Sequence, residues 1–233
     1  MKKGRVYLVF ALIIVAILLV RKYDKQNRDE KDRDRVYNLT KQRLSKEQQQ
    51  NETVDDLLDF SKIDNVFGNK ESPIKIIEFS RFSCSFCVKF HNEIADKFKK
   101  NYVDAGKVAY TSRLIIDKDT LLGVVLPACI DDVNEKYEII RQLYLRNEEW
   151  LPLEEKEKVG KLKEIWMEVV KSKSEDDFNN CIVNLSIGNT LLKQQNKDRE
   201  EFNINVTPTF IINGKKYENY YEYEDFIKLF DNE

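Results

Sequence analysis

Ile74-Lys75-Ile76-Ile77-Glu78-Phe79-Ser80-Arg81-Phe82-Ser83-Cys84-Ser85-Phe86-Cys87 is the stretch on which the fold turns. Residues 74–79 carry three isoleucines and a phenylalanine and read as a buried strand. The stretch then reaches a Cys-x-x-Cys pair that opens a helical segment. Counted from Cys87, the positions Cys87, Phe90, Ile94 and Phe98 fall at i, i+3, i+7 and i+11, one face of a 3.6-residue repeat. A CxxC at a strand-to-helix junction is the mark of a dithiol/disulfide redox centre. The first cysteine meets the unpaired N–H groups and partial positive charge of a helix N-terminus, which stabilise a thiolate. The second, one turn on, is near enough to bond with it. The face predicts Cys87 inward and Cys84 at the exposed tip, so Cys84 is the exchanging sulfur and Cys87 the resolving one.

The rest of the chain bounds this reading. A length of 233 residues permits one large domain, alone or with an appendage. Apolar residues make up 42% and aromatics 11%, enough for a packed core, although 34% of the chain is charged. Only 7 Gly and 4 Pro argue for a helix-rich fold with short turns. A net charge of -2 gives no electrostatic footprint for nucleic acid. A zinc site would need two more ligands in matching knuckles, but Cys129 and Cys181 stand apart on helical stretches and His91 is the sole histidine. No metal or organic cofactor is expected. His91 lies about 10 Å along the helix from Cys84, too far to activate it, and reads as a helix-face residue.

Residues 6–20 form an apolar run behind Met1-Lys2-Lys3-Gly4-Arg5. The run is a signal-peptide core or a short membrane anchor. Arg21-Lys22-Tyr23-Asp24 offers no small-x-small cleavage pattern, which favours an uncleaved signal anchor over 1–20, with a cleaved peptide as the alternative. Basic residues on the far side (Arg21, Lys22, Lys25, Arg28) weaken the positive-inside signal, yet an exchanging thiol pair makes chemical sense outside the cytoplasm. Residues 21–66 read as a charged tether. Val36, Leu39 and Leu44 are too few for a coiled-coil stalk.

A domain over 67–233 follows. After the first strand and its helix, residues 107–114 read as a second strand. Residues 121–202 carry helical periodicity throughout: Leu122/Val125/Leu126/Cys129, Ile139/Ile140/Leu143/Tyr144, Leu162/Trp166/Val169/Val170 and Phe178/Cys181/Ile182/Leu185. A strand at 209–212, a turn at Asn213-Gly214, a strand at 215–217 and a helix carrying Tyr223/Phe226/Ile227/Phe230 complete the chain.

Three separated motifs now stand in order: Phe67-Gly68-Asn69-Lys70-Glu71-Ser72-Pro73 with the strand and CxxC, then Gly106-Lys107-Val108, then Val206-Thr207-Pro208-Thr209-Phe210-Ile211-Ile212-Asn213-Gly214. Over residues 67–233 this order resembles a DsbA-like member of the thioredoxin superfamily. The resemblance implies an α/β thioredoxin fold with a helical insertion, about 119–203, between the β-α-β unit and the C-terminal β-hairpin and helix. It implies a thiol:disulfide oxidoreductase that forms disulfides in exported proteins; with the apolar run at residues 6–20, the expectation is a domain tethered to the inner membrane in a bacterial periplasm, or soluble there after signal cleavage. Its partners would be reduced or misoxidised exported polypeptides and a DsbB-like membrane reoxidant.

The resemblance also implies roles for individual residues. It makes Glu78 a buried carboxylate beneath the pair, with a raised pKa suited to carrying the proton of Cys87; strand alternation alone leaves open that Glu78 faces solvent. Pro208 would be a cis-proline packed on the CxxC, and Thr207 would offer its backbone to an extended substrate. Cys129 and Cys181 would form a second, structural disulfide, the alternative being two buried free thiols. Ser85-Phe86 departs from the best-known family dipeptides, with neither histidine nor proline. Thr207 before the proline is shared with isomerases and reductases, so an isomerase or reductase served by a membrane reductant is the second reading. A binding module that merely keeps the fold is the third.

Overall fold

The alternation of β1 (Ile74–Ser80) sets the architecture, because it sorts its side chains onto two apolar layers. Ile76 joins the larger core and Ile77 and Phe79 the smaller one on the opposite face. The computed structural model describes residues 65–219 and 222–230. The anchor expected over 1–20 and the tether up to residue 64 lie outside the described residues. No helix among the described residues is long and apolar enough to cross a membrane.

The sheet has the order β2-β1-β3-β4. β1 pairs in parallel with β2 (Val108–Leu114), which requires a crossover, and the crossover is α1 (Ser85–Glu93) with α2 (Ala95–Phe98). β3 (Thr209–Ile212) runs antiparallel on the other side of β1, and β4 (Lys215–Glu218) closes the hairpin. Asn213 at φ 46° and Gly214 at φ 81° make the tight turn whose twist suits a two-residue hairpin. At Gly68, φ is +85° and a Cβ would lie 2.6 Å from the carbonyl oxygen of Val108, so only glycine fits this approach to β2.

The expected continuous helix from the CxxC to Phe98 is instead broken. α1 stops at Glu93, α2 covers one turn, and a π-helical turn (Lys99–Val103) completes the segment. The apolar face nonetheless continues across the breaks. Phe90 and Phe98 meet Phe226 at ring-centroid distances of 5.1 and 5.2 Å, and Phe90 meets Phe210 of β3 at 5.0 Å. Phe226 belongs to α9 (Tyr223–Ile227), so the closing helix is pinned to the crossover through aromatic edges and faces.

Between β2 and β3 lie α3 (Leu121–Ala128), α4 (Val133–Leu145), α5 (Asn147–Trp150), α6 (Glu155–Val169), α7 (Glu175–Ile182) and α8 (Leu185–Glu201). Local chemistry starts several of them: Asp132 accepts from Asn134 and Glu135, and Ser174 with Asp177 forms a reciprocal capping box. Asn184 caps α8, which ends the α7 pattern before Leu185; that residue, expected on an apolar face, is 82% exposed. Trp150, Leu162, Trp166 and Phe178 fill the centre of the insertion. Cys129, just past α3, and Cys181 of α7 are bonded to each other, their Cα atoms 6.0 Å apart. α8 returns to the sheet through Arg113 of β2, 2.6 Å from Asp198, and through Gln195, which accepts the N–H of Ile116.

Candidate active site

Cys84 is the N-cap of α1. Its backbone is extended (φ -94°, ψ 115°), its carbonyl accepts the N–H of Val88, and its sulfur accepts the N–H of Cys87 at 3.4 Å. Cys84 is half-buried and Cys87 fully buried, and both are free thiols. The Thr207-Pro208 peptide is cis, and the Thr207 carbonyl oxygen lies 3.2 Å from the Cys84 sulfur, an acceptor for it only in the protonated thiol form. Residues 123 positions apart in sequence thus meet at one atom. Phe86 within the motif and Val206 beside Thr207 are exposed apolar residues. A groove of about 990 Å³ opens beside Ser83, lined by Leu121, Leu122, Asn147, Leu151 and Leu153 among others.

The two thiols are driven in opposite directions. A hydrogen bond from the Cys87 thiol is the largest influence on Cys84 and outweighs its partial burial. The Thr207 side chain and the N–H groups of Cys87 and Phe86 add to it and bring the Cys84 thiol down to about 5. Burial pushes the Cys87 thiol far above its ordinary value, and the hydrogen bond to Cys84 and the charge of that sulfur push the same way. At neutral pH the reduced pair is therefore one thiolate and one thiol.

Beneath Cys87 lies a buried polar cluster. β1 turns Glu78 and Ser80 toward α1, where the side chain of Glu78 has no exposure to solvent. His91 Nε2 lies 3.0 Å from Glu78 Oε1, and the Tyr110 hydroxyl of β2 donates to Oε2. Ser80 Oγ lies 2.6 Å from the Tyr144 hydroxyl of α4, and the Ser80 side chain acts to lower both the Glu78 carboxyl and the Cys87 thiol. Tyr144 stacks on His91 with ring centroids 3.8 Å apart and planes within 3°.

This cluster corrects two expectations. Burial does press the Glu78 carboxyl upward, but the charge of His91 and hydrogen bonds from His91, Tyr110 and Ser80 outweigh it, so the carboxyl is held below its ordinary value rather than raised. Glu78 is an ionised acceptor at neutral pH, not a stored acid. His91, expected on the helix face, is only 4% exposed and faces Glu78. Ser80, Tyr110 and Tyr144 were not singled out from the sequence. Ser80 could have been, because it lies two residues beyond Glu78 on the same strand face. Tyr110 and Tyr144 arrive through sheet register and helix packing, which no local spacing announces. Cys129 and Cys181 lie in the insertion, bonded to each other and apart from this cluster. Among the described residues no three His, Cys, Asp or Glu side chains gather to hold a metal ion.

The geometry agrees with what the chain is similar to. A family model described as Thioredoxin matches residues 61–232. A Rickettsia typhi protein named "Putative protein-disulfide oxidoreductase" is 28% identical over 165 residues, which are 68% of this chain and 59% of that protein. The chain therefore spans about three fifths of the length of such relatives. "Disulfide bond formation protein D" of Bacillus subtilis is 24% identical, covering 72% of this chain and 76% of that one. Among solved structures, Wolbachia pipientis alpha-DsbA1 superposes with a TM-score of 0.66 at 23% identity, over 73% of this chain and 90% of the other.

Proposed function

The chain belongs to the thioredoxin family, and from that premise we propose that it is a DsbA-type thiol:disulfide oxidoreductase that forms disulfides in exported polypeptides. The observation that carries the reading is the split between its two sulfurs, one half-exposed and held as thiolate, the other buried and held as thiol.

In the oxidised enzyme a substrate thiolate attacks Cys84, forming a substrate–Cys84 bond and breaking Cys84–Cys87. Cys87 departs as a thiolate and is protonated. A second substrate thiolate then attacks the substrate sulfur, and Cys84 leaves as a thiolate. The substrate is oxidised by two electrons and the pair reduced by two. The last step is favoured by the lowered Cys84 thiol, since a low-pKa sulfur leaves readily. The same lowering supports the oxidase direction over the isomerase or reductase reading, because it stabilises the reduced pair relative to the disulfide.

The Thr207 carbonyl supplies an acceptor beside the reacting sulfur for the backbone of an extended substrate, and Phe86 and Val206 supply apolar contact. Reoxidation would fall to a DsbB-like membrane partner, with the apolar run at residues 6–20 holding the domain at the inner membrane on the periplasmic side. The test uses a reduced two-cysteine peptide and the oxidised full-length protein in mild detergent. The peptide is expected to emerge oxidised with one Cys84–Cys87 pair reduced per disulfide made, and Cys84→Ser to abolish this. An oxidised protein that leaves the peptide reduced, while reducing its disulfide form readily, would reverse the direction.

A further inference from the structure

β2 is an edge strand, and its outer edge is covered only in part. Ile115, continuing the strand, donates its N–H to the Ser80 carbonyl of β1, so odd-numbered residues bond to β1 and even-numbered ones turn their N–H and C=O outward. Tyr110 is paired there, exchanging two hydrogen bonds with Phe67 at 2.7 and 2.9 Å. Ile116 is closed by the Gln195 side chain of α8, whose Oε1 accepts its N–H at 2.6 Å and whose Nε2 donates to its carbonyl at 3.5 Å. Ser112 and Leu114 lie between these two closures. Among the described residues no group pairs with their outward N–H and C=O.

A cavity of about 350 Å³ opens along this gap. Val124 and Pro127 of α3, Ile140 of α4 and Leu191 of α8 give it an apolar wall. Ser112 Oγ is buried with no hydrogen-bond partner, a further unmet polar group beside the strand edge. Charge in the lining is unequal, with Arg113, Lys136 and Arg199 set against Asp198 alone. Asp198 is already engaged by Arg113 at 2.6 Å and by Gln194 at 2.9 Å. Lys136 bonds the Asn65 side chain at the Phe67 end. Arg199, one turn along α8 from Gln195, is exposed and makes no ion pair among the described residues.

We propose that this gap is a second ligand site, which takes a short peptide of two or three apolar residues ending in a free carboxylate. Outward N–H and C=O groups at strand spacing are matched by a peptide backbone, which offers acceptors and donors at the same repeat. From Ser112 to Leu114 is about 7 Å of strand. That is room for a short peptide and not for a chain that runs on, because Phe67 and Gln195 close the two ends. The apolar wall takes its side chains, Ser112 Oγ a backbone group, and the Arg199 guanidinium its carboxylate, which a forked donor suits. The gap lies on the β2 side of β1, whereas Cys84 meets Thr207 on the β3 side, so the inference stands apart from the redox reading.

The test uses the full-length protein in mild detergent and three probes: alanyl-valyl-leucine, the same tripeptide as its C-terminal amide, and hexanoate. Binding is read by calorimetry and by amide hydrogen exchange resolved residue by residue. At ten times its Kd the free-acid peptide is expected to slow exchange at Ser112 and Leu114 about tenfold, with alkylation of Cys84 unchanged. Its amide should bind about tenfold more weakly, for want of one charge-assisted pair. In Arg199→Gln the acid and the amide should bind alike, and Ser112→Ala should weaken both. Slow exchange at Ser112 and Leu114 before any peptide is added means that another part of the protein covers the edge, and overturns the site. Hexanoate binding as tightly as the peptide overturns it in favour of a simple apolar acid. So does a preference for the acid that survives in Arg199→Gln, or a free-acid peptide whose Kd lies above about 1 mM.

Discussion

Cys84 and Cys87 share a helix end and a polar neighbourhood, but each stabilises a different protonation state of the other. Cys87 donates to the Cys84 thiolate, and the charge so fixed helps keep Cys87 protonated. The sign for Cys84 is that of a lowered acid: thiolate dominates above about 5 and is lost as pH falls through that value. Alkylation of the reduced native protein by iodoacetamide is therefore expected at Cys84, half-maximal in rate near pH 5 and level through neutrality, with Cys87 untouched. Mass mapping of the labelled cysteine against pH checks this. A half-point near that of a free cysteine, about 8.5, would remove the physical basis for easy departure of Cys84. The positions of the two sulfurs could be read from the repeat Cys87, Phe90, Ile94, Phe98, because which side of a helix is apolar is a local property. The company of Glu78 could not. Its protonation depends on His91 from a helix, Tyr110 from a strand and Ser80 from its own strand, and burial considered alone gives the wrong direction. His91 was placed by its distance to Cys84 along one helix, whereas its partner lies across the helix–sheet interface at 3.0 Å.

At the scale of elements, strand periodicity and turn chemistry were legible and helix ends were less so. The parallel pair, the Asn213-Gly214 hairpin and the closing helix each carry a local signature. The break at Ile94 carries none, since neither Gly nor Pro marks it and the apolar face runs on across it. Tertiary contact also decides where α3 lies. A Cβ on Gly123 would come within 2.8 Å of the Trp150 ring. That ring is fixed, donating from Nε1 to the Leu143 carbonyl at 2.8 Å and standing edge-on to Phe82 at 5.4 Å. Propensity and packing therefore oppose each other at Gly123→Ala. Alanine gains about 1 kcal/mol in a helix interior, while overpacking a rigid neighbour costs about 1–3 kcal/mol. Packing should win, so the variant is expected to unfold at lower urea than the parent. An increase in the midpoint would mean that α3 is free to move away from Trp150. Because Asn147 Nδ2 donates to the Phe82 carbonyl two residues before Cys84, a displaced Trp150 should also slow alkylation of Cys84 or change its pH midpoint.

Across the whole molecule, six helices are inserted into a small sheet and contribute Tyr144 to the buried cluster while keeping a separate bond of their own. The paired face positions of Cys129 and Cys181 were visible in the sequence, but spacing alone left bonded and free thiols equally open. The fold brings the end of α3 to α7 and bonds the two across a sequence separation of 52. Closing a loop of that length stabilises a protein by about 4 kcal/mol in the chain-entropy model, mainly by restricting the unfolded chain. Replacing both residues, Cys129→Ser with Cys181→Ser, removes that restriction without touching the sulfurs of the CxxC or the Glu78 cluster. The expected outcome is a loss of about 4 kcal/mol in urea unfolding, with the alkylation profile of Cys84 and its exchange with a peptide unchanged. Substituting both avoids leaving one reactive thiol to pair with Cys84. Serine hydroxyls at these sites add a desolvation cost at the buried Cys181, so alanine at 181 provides the control. If stability holds but exchange at Cys84 collapses, the second bond is coupled to the first through the path from α3 to α4 and Tyr144, and the insertion is part of the redox centre instead of its support.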